Sequence, residues 1–159
     1  VSRVVLLDPE SRGTVQVTST NVHDKPLIKQ NFLSHPRDWE TLRAGLRIAR
    51  QVAAEHCMKP FVGNEIAPGL SKTSDQDLNA HIAATSITLH HPLGTCRMGN
   101  EGDPQSVVTQ ELKVIGSDAL RIVDGSVMPD LVRGNINGPI IMIAEKAADL
   151  IRGNNPILK

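Results

Sequence analysis

The sequence has few aromatic residues and no net charge, and each shortage argues against a class of partner. Aromatic residues make up 2% of the chain, with two phenylalanines, one tryptophan and no tyrosine. This composition argues against an aromatic cage for a cation and against a platform on which nucleic-acid bases stack. Seventeen basic residues balance seventeen acidic ones, which gives no support for a nucleic-acid or membrane-surface partner.

Long apolar runs and a cysteine framework are also missing. No run approaches the roughly 20 residues of a transmembrane helix, and the opening VSRVVLLDPESRG lacks the apolar core of a signal peptide. Cys57 and Cys96 are too few for a disulfide framework and fit a reducing compartment. We therefore expect a cytoplasmic protein without a membrane segment. With 159 residues, 40% of them apolar and 21% charged, the chain has the size and composition of about one globular domain.

The beginning of the chain has the pattern of short strands. Residues 3–7 are largely apolar, DPESRG follows as a turn, and Val15 and Val17 alternate with polar residues within residues 13–20. This pattern predicts two strands around a turn, with the two valines on one face. The next stretch, NVHDKPLIKQNFLS, is predicted as loop or edge structure, because Pro26 cannot donate to a central ladder.

Two helices are predicted in the middle of the chain. One covers residues 36–56, where Asp38 in the first turn favours the positive end of the helix dipole. The second covers residues 74–85, with Thr73 and Gln76 as its expected capping box. Apolar residues at helical spacing predict the inward faces. These are Leu42, Leu46, Ala49 and Ala53 in the first helix, and Leu78 and Ile82 in the second.

The C-terminal part is predicted to contain a strand, a turn and a helix. Residues 120–123 are predicted as a buried strand that runs into an Asp-Gly turn. The final helix has Asn137 as its expected N-cap, Pro139 at or near its first position and Gly153 just past its end. This order of elements indicates an α+β fold or part of a larger α/β protein. The GxGxxG fingerprint of a nucleotide-binding fold does not occur in the sequence.

The segment LHHPLGTCRMG carries residues that could serve several chemistries. A metal site is disfavoured, because adjacent histidines in a strand point to opposite faces and no CxxC or HExxH pattern is present. A nucleophilic Cys96 would need a base and a lowered pKa, and a small buried thiol is the simpler interpretation. For His91, catalysis and a mere hydrogen bond to a turn remain open alternatives at this point.

Two further segments are typical of ligand contact, although each also has a simple structural explanation. In VDGS, Gly125 lacks a side chain, so its backbone can approach a ligand closely, but Asp-Gly is also an ordinary turn. In GNINGPIIMIAEKAADLI, two glycines and two asparagines precede an uncharged helix start that favours an anionic group. Alternatively, Asn137 only caps its own helix.

Taken together and in order, these segments resemble the C-terminal part of the glucose–methanol–choline family of flavin-dependent oxidoreductases, and its choline dehydrogenase-like members in particular. The resemblance runs from SRGTVQVTS and PLIKQNFLSHPRDWETLRAGLRIAR through HHPLGTCRMG and LRIVDGSVMP to GNINGPIIMIAEKAADLI. Any one of the last three segments would be weak alone, but their combination is highly specific. Gly138 stands where many relatives have alanine.

The resemblance implies a cofactor, a reaction and a role for each matching residue. FAD is the implied cofactor, and the substrate is a small primary or secondary alcohol oxidised by hydride transfer to the flavin. His91, directly before PLGT, corresponds to the family's catalytic base, and Asn137 corresponds to the base's partner before the final helix. The implied cofactor-contacting residues are Asp124, Gly125, Asn137, Gly138 and Pro139; no metal is implied.

The family's FAD-binding half lies outside the resemblance, so we expect a C-terminal fragment whose partner is that N-terminal half. Residues 1–88 are expected to form the substrate-side portion. Residues 89–159 are expected to carry the catalytic histidine and the strand, turn and helix that return to the FAD-binding domain. Two alternatives are a lyase that cleaves hydroxynitriles with bound FAD but no redox step, and a stand-alone binding domain without catalysis.

Overall fold

The computed structural model describes residues 2–153, which contain two short strands, three α-helices and two short 3₁₀ turns. By its internal contacts the chain divides into two compact units, Val1–Thr88 and Leu89–Lys159. The first unit contains strands β1 (Thr14–Gln16) and β2 (Leu27–Lys29) and helices α1 (Pro36–Ala54) and α2 (Asp75–Thr85). The second contains helix α3 (Asn137–Arg152). Among residues 2–153, no helix has both the length and the apolarity needed to cross a membrane.

The sheet is a two-stranded antiparallel ribbon. Strand β1 pairs with β2, and Val15 lies opposite Ile28. All six residues of the ribbon are exposed, and β2 confirms the prediction of edge structure around Pro26. The strand predicted at residues 3–7 is wrong, because that segment has no pairing partner among the described residues. Instead, the Val4 side chain packs onto α1 at Gly45, where an added Cβ atom would collide with Val4 Cγ1.

Helix α1 begins where the sequence predicts and ends two residues earlier. His35 is its N-cap, and the Nδ1 atom of His35 accepts a hydrogen bond of 3.3 Å from the Arg37 backbone N–H. Proline at the first helical position is compatible with this start, because an N–H there has no intrahelical partner. The predicted inward stripe is half-buried in the structure. Its members are Leu42, Leu46, Ala49 and Ala53.

The carboxylate of Asp38 holds the N-terminal segment against the first turn of α1. Asp38 is 1% exposed and accepts backbone hydrogen bonds from Glu10 at 2.8 Å and from Ser11 at 3.0 Å. Burial acts to raise the pKa of Asp38, but the hydrogen bonds from Ser11 and Glu10 and the nearby His35 outweigh it and leave the pKa below its ordinary value. The sequence predicted only the favourable interaction of Asp38 with the helix dipole.

Replacing Asp38 by asparagine is expected to lower the free energy of unfolding at neutral pH by about 1–3 kcal/mol, because a charged acceptor of two N–H groups is lost. The folded-state pKa of Asp38 is depressed. Its contribution is therefore complete above the unfolded-state pKa and is lost as the pH falls through the folded-state pKa. Urea unfolding at about pH 7 and about pH 3 should show the gap between wild type and variant shrinking in acid. Glu40→Gln, at an exposed position of the same helix, is the control, and equal losses in both variants would contradict the prediction.

Helix α2 is capped one residue later than predicted. The Oγ atom of Ser74 accepts a hydrogen bond of 3.1 Å from the Asp77 backbone N–H, and the Ser74 hydroxyl donates to the Asp77 carboxylate. The expected pair of Thr73 and Gln76 is therefore wrong: Ser74 is the cap, and the third helical position belongs to Asp77. The predicted inward residues are confirmed, with Leu78 0% and Ile82 4% exposed.

The second unit has a small apolar core without a regular sheet among its described residues. Its buried members are Val108, Leu112, Val127 and Ala147. The buried strand predicted at residues 120–123 is wrong: Leu120 is 54% exposed, and within this run Arg121 alone forms an isolated bridge, with Lys113. The run is too short to extend the pairing, because the chain enters a 3₁₀ turn (Gly125–Val127) soon after it.

Helix α3 contributes residues of one face to the core of this unit, and it ends as predicted. Ala147 is buried and Ile143 packs against the core. Gly153 adopts a left-handed conformation with φ of 72°, and its N–H donates back to the last turn, as a terminal glycine does. The start differs from the prediction: Asn137 is the first helical residue, and the N-cap is Ile136, which makes no capping hydrogen bond with its side chain. Pro139 is consequently the third helical residue.

Candidate active site

The loop that follows His91 is joined to the 3₁₀ turn by main-chain hydrogen bonds. The Cys96 N–H donates to the Ser126 carbonyl at 3.0 Å, and the Met98 N–H donates to the Val127 carbonyl at 2.8 Å. Val127 is completely buried in the core of the second unit. The loop is therefore fixed to a part of the molecule that cannot move without opening the core.

Asp124 shapes the turn that follows it. Its Oδ1 atom accepts hydrogen bonds from the Ser126 backbone N–H at 2.8 Å and from the Ser126 hydroxyl at 2.5 Å. The Val127 N–H also donates to the Asp124 carbonyl at 3.3 Å. These contacts cap the 3₁₀ turn and set the direction of the backbone at Gly125. Contact between Asp124 and a cofactor stays a prediction.

Gly125 lies where three segments meet. A Cβ atom at Gly125 would be 3.1 Å from Cδ1 of Ile140, in the first turns of α3, and 3.8 Å from the carbonyl oxygen of Pro92. Pro92 directly follows His91 in the sequence. The HHPLG loop, the 3₁₀ turn and the start of α3, which are far apart in the sequence, are therefore neighbours in the folded unit.

The two adjacent histidines differ in backbone and exposure. His90 has a φ of 60°, in the left-handed region, and forms a bend, so the expectation of a strand at this position is wrong. His91 is half-buried, and within residues 2–153 its side chain makes no hydrogen bond or ion pair with another residue. An imidazole in this state is available for a ligand.

The start of α3 is open. Asn137 and Gly138 are exposed, no acidic residue lies in the first turn, and the Ile140 N–H donates to the Ile136 carbonyl at 3.0 Å to begin the helical bonding. Within the described part of the chain, the N–H groups of Asn137 and Gly138 and the Asn137 side-chain amide have no acceptor or donor partner. This positive helix end can receive a partial negative charge of a ligand.

The remaining candidates of the HHPLGTC segment have weaker chemical support. Cys96 is half-buried and forms no disulfide bond. Its backbone N–H donates to the Ser126 carbonyl. Between residues 2 and 153, no group of three or more histidine, cysteine, aspartate or glutamate side chains is placed to hold a metal ion.

Pro92 and Ile140 complete this junction, and no sequence pattern singles them out. In the sequence, Pro92 is only the neighbour of a histidine, and Ile140 is only the first residue of an apolar run. The missing side chain of Gly125 suggests space for a ligand, whereas the structure fills that side with protein atoms. A single sequence contains no signal for such a contact, because it depends on how distant segments pack.

Comparison with known proteins identifies the family of this chain. The family model for the GMC oxidoreductase C-terminal domain matches residues 9–144. The chain belongs to the GMC oxidoreductase family. This agrees with the resemblance expected from the sequence, and with an architecture of helices and a small sheet in a C-terminal domain.

Curated relatives of this GMC domain include choline dehydrogenases. The mitochondrial choline dehydrogenase of Mus musculus is 43% identical over 144 residues, which cover 91% of this chain and 24% of the relative. The oxygen-dependent choline dehydrogenase of Photobacterium profundum is 41% identical over 149 residues, covering 94% of this chain and 26% of the relative. The chain thus spans about a quarter of the length of the curated relatives it matches.

Solved structures of similar fold include flavin enzymes. Pyridoxine 4-oxidase from Mesorbium loti is 34% identical, with a TM-score of 0.86, over 94% of this chain and 29% of that one. An FAD-dependent oxidoreductase from Chaetomium thermophilum is 30% identical, with a TM-score of 0.85, over 92% and 25%. Formate oxidase from Aspergillus oryzae RIB40, studied for modification of its FAD, is 29% identical, with a TM-score of 0.85, over 93% and 26%. FAD is the cofactor named for the last two relatives.

Proposed function

We propose that this chain forms the substrate-side and catalytic C-terminal part of an FAD-dependent oxidoreductase that oxidises the CH–OH group of a primary or secondary alcohol. The observation that carries the proposal is the junction at Gly125, where the loop of His91 meets the first turns of α3. It places a histidine-bearing loop and an open helix start in one unit. Dehydrogenases and oxidases among the relatives support a redox reaction over the lyase alternative.

The residues at the start of α3 fit the flavin part of FAD. The N–H groups of Asn137 and Gly138 belong to exposed residues, and a Cβ atom at Gly138 would meet nothing within 4 Å. The space directly beside Gly138 is therefore open. The helix dipole favours negative charge at that position. Pro139, the third helical residue, has no N–H and so leaves no further donor unsatisfied at this helix end.

His91 is proposed to take the proton of the substrate hydroxyl. FAD, when bound, accepts the hydride that leaves the alcohol carbon. The hydroxyl proton must leave the oxygen for the carbonyl product to form, and a neutral imidazole nitrogen is a suitable acceptor. The half-buried His91 side chain forms no hydrogen bond or ion pair with a described residue, so it is free to accept the hydroxyl proton. General base catalysis by a well-placed histidine contributes about 10²–10⁴-fold to a rate.

Asn137 is proposed to orient the alcohol. Its amide carries two donors and an acceptor and does not titrate, so it can hydrogen-bond the substrate oxygen in every protonation state of the base. The side chain is exposed at the first position of α3, where the backbone of a 16-residue helix holds it. In an oriented alcohol, the C–H bond points to the hydride acceptor, FAD, while the hydroxyl proton points to the proposed proton acceptor, His91.

The N-terminal FAD-binding part found in the family is the proposed partner of this chain. In this arrangement residues 1–88 lie on the substrate side, and residues 89–159 supply the base and the flavin-facing turn and helix. We expect the 159-residue chain alone to bind FAD weakly or not at all and to show no turnover, because it lacks the GxGxxG element. The visible absorbance spectrum of the purified chain tests this, and a stoichiometric yellow cofactor would contradict it.

The proposed reaction is tested on the complete protein that carries this chain. The purified flavoprotein is mixed without oxygen with a panel of primary and secondary alcohols, and the absorbance of the oxidised flavin is followed. Loss of that absorbance, with formation of the matching aldehyde or ketone, is the expected result. Cleavage of a hydroxynitrile without a change in the flavin spectrum would replace the proposal with the lyase alternative. Absence of any bound flavin would favour a non-catalytic binding domain.

A further inference from the structure

At Gly125, the glycine of the Asp-Gly turn, the surrounding atoms and not the backbone φ angle disfavour a side chain. Several glycines of the chain, such as Gly94 and Gly116, have positive φ values of 81° and 82° that L-residues rarely adopt. Gly125 is not among them. Alanine could therefore adopt the backbone conformation of position 125. What an added side chain would meet there is Cδ1 of Ile140 at 3.1 Å and the Pro92 carbonyl oxygen at 3.8 Å.

Both sides of this contact are held in place by other parts of the second unit. The 3₁₀ turn is tied to the loop after His91 by the hydrogen bonds of Cys96 and Met98, and Val127 anchors it in the core at 0% exposure. Helix α3 is anchored about two turns beyond Ile140 by Ala147, which is 2% exposed and belongs to the same core. A Cβ atom at position 125 would therefore require Ile140 Cδ1 to move by a few tenths of an ångström, and because packed interiors yield little, part of that shift passes to the start of α3.

We propose that Gly125 is a positioning residue, whose missing side chain sets the spacing between the loop that carries His91 and the helix start that carries Asn137. The inference deepens the proposed function and rests on it. It differs from the prediction that the glycine is needed for close approach of the cofactor, because the side of Gly125 that a Cβ atom would occupy faces protein. A shift of a few tenths of an ångström between a base and the residue that orients the substrate is expected to slow the reaction about tenfold.

The test uses a second substitution that removes one atom from the contact. Ile140→Val deletes Cδ1, the atom nearest to the added Cβ. In the complete flavoprotein, Gly125→Ala is expected to lower the rate constant of flavin reduction at saturating alcohol about tenfold. Ile140→Val alone should stay close to wild type, and the double variant should regain most of the lost rate. Gly102→Ala is the matched control, because a Cβ atom at Gly102 would meet nothing within 4 Å.

Two readouts separate positioning from cofactor contact and from simple destabilisation. If Gly125 only positions its neighbours, the flavin absorbance spectrum and reduction potential of Gly125→Ala should match wild type. A shifted spectrum or potential that Ile140→Val fails to restore would overturn the inference in favour of cofactor contact. An unchanged rate in Gly125→Ala would overturn it as well. A lower thermal midpoint with an unchanged rate would reduce Gly125 to a purely structural role and also contradict the inference.

The failure of the proposed function would give a different result. In that case the wild-type flavoprotein itself would not be reduced by any alcohol of the panel. The packing contact would then be measured by thermal unfolding of the four proteins of the cycle. If Ile140→Val offsets part of the stability lost in Gly125→Ala, the steric contact between the two positions is supported. If the effects of the two substitutions on stability are additive, the contact is rejected.

Discussion

Replacing His91 by alanine in the complete flavoprotein is expected to slow anaerobic reduction of the flavin by alcohol by about 10²–10⁴-fold, the usual contribution of a general base. The structure leaves the half-buried His91 side chain without a partner among the described residues, so its removal breaks no hydrogen bond within that part of the chain. The loop itself is held by main-chain bonds from Cys96 and Met98, which the substitution keeps. Stopped-flow absorbance measures the effect, and added imidazole should restore part of the lost rate.

The matched control for this experiment is the neighbouring histidine. His90 has a positive φ of 60°, a conformation in which asparagine and glycine are tolerated and alanine is strained. His90→Asn therefore preserves the bend, whereas His90→Ala would confuse a backbone effect with a chemical one. We expect His90→Asn to reduce the flavin at a rate within a few-fold of wild type. Equal losses at both positions would show that the loop conformation, and not the imidazole of His91, limits the reaction.

Leu78→Ala is expected to cause the largest loss of stability in the first unit, about 2–5 kcal/mol of the free energy of unfolding. Leu78 is 0% exposed and lies on the inward face of α2. Among the described residues of the first unit, the buried apolar side chains are Leu78 and Ile82. Polar pairs between the helices, such as Arg43 with Asn79 at 2.9 Å, offset little of such a loss, because exposed or half-exposed polar contacts contribute about 1 kcal/mol or less.

The free energy of unfolding of Leu78→Ala is measured by urea unfolding, with Ile66→Ala as the control. Ile66 has a similar size but is 96% exposed, so truncating it removes almost no buried surface. Its effect should stay within about 0.5 kcal/mol. A loss of similar size in both variants would mean that burial in α2 does not determine the stability of this unit.

The helices could be predicted from the sequence because their signals are local. The apolar spacing of α1 and α2 and the glycine at the end of α3 each act within a few residues, and all three helices are present. The caps are harder to predict, since a shift of the helix start by one residue changes which residue occupies the cap position. Ser74 is the N-cap where the sequence pattern predicts Thr73, and it accepts a hydrogen bond from the Asp77 N–H. Ile136 holds the cap position expected for Asn137.

The short strands and the site depend on distant contacts and are predicted less well. The apolar run around Val4 is real, yet Val4 packs onto a helix at Gly45 instead of pairing in a sheet. The resemblance to the family, and not local pattern, selects His91 over His90. The approach of Ile140 to Gly125 could not be predicted, because no property of either residue alone specifies the other.

The bonds that tie the loop to the 3₁₀ turn have a practical meaning for engineering this protein. Because they join backbone to backbone, at Cys96 and Met98 on one side and at Ser126 and Val127 on the other, side chains can be exchanged without cutting them. Thr95 is exposed and lies between His91 and these bonds in the sequence. A library of substitutions at Thr95 would therefore vary an exposed side chain of the loop that follows His91 without removing a donor or acceptor of these main-chain bonds.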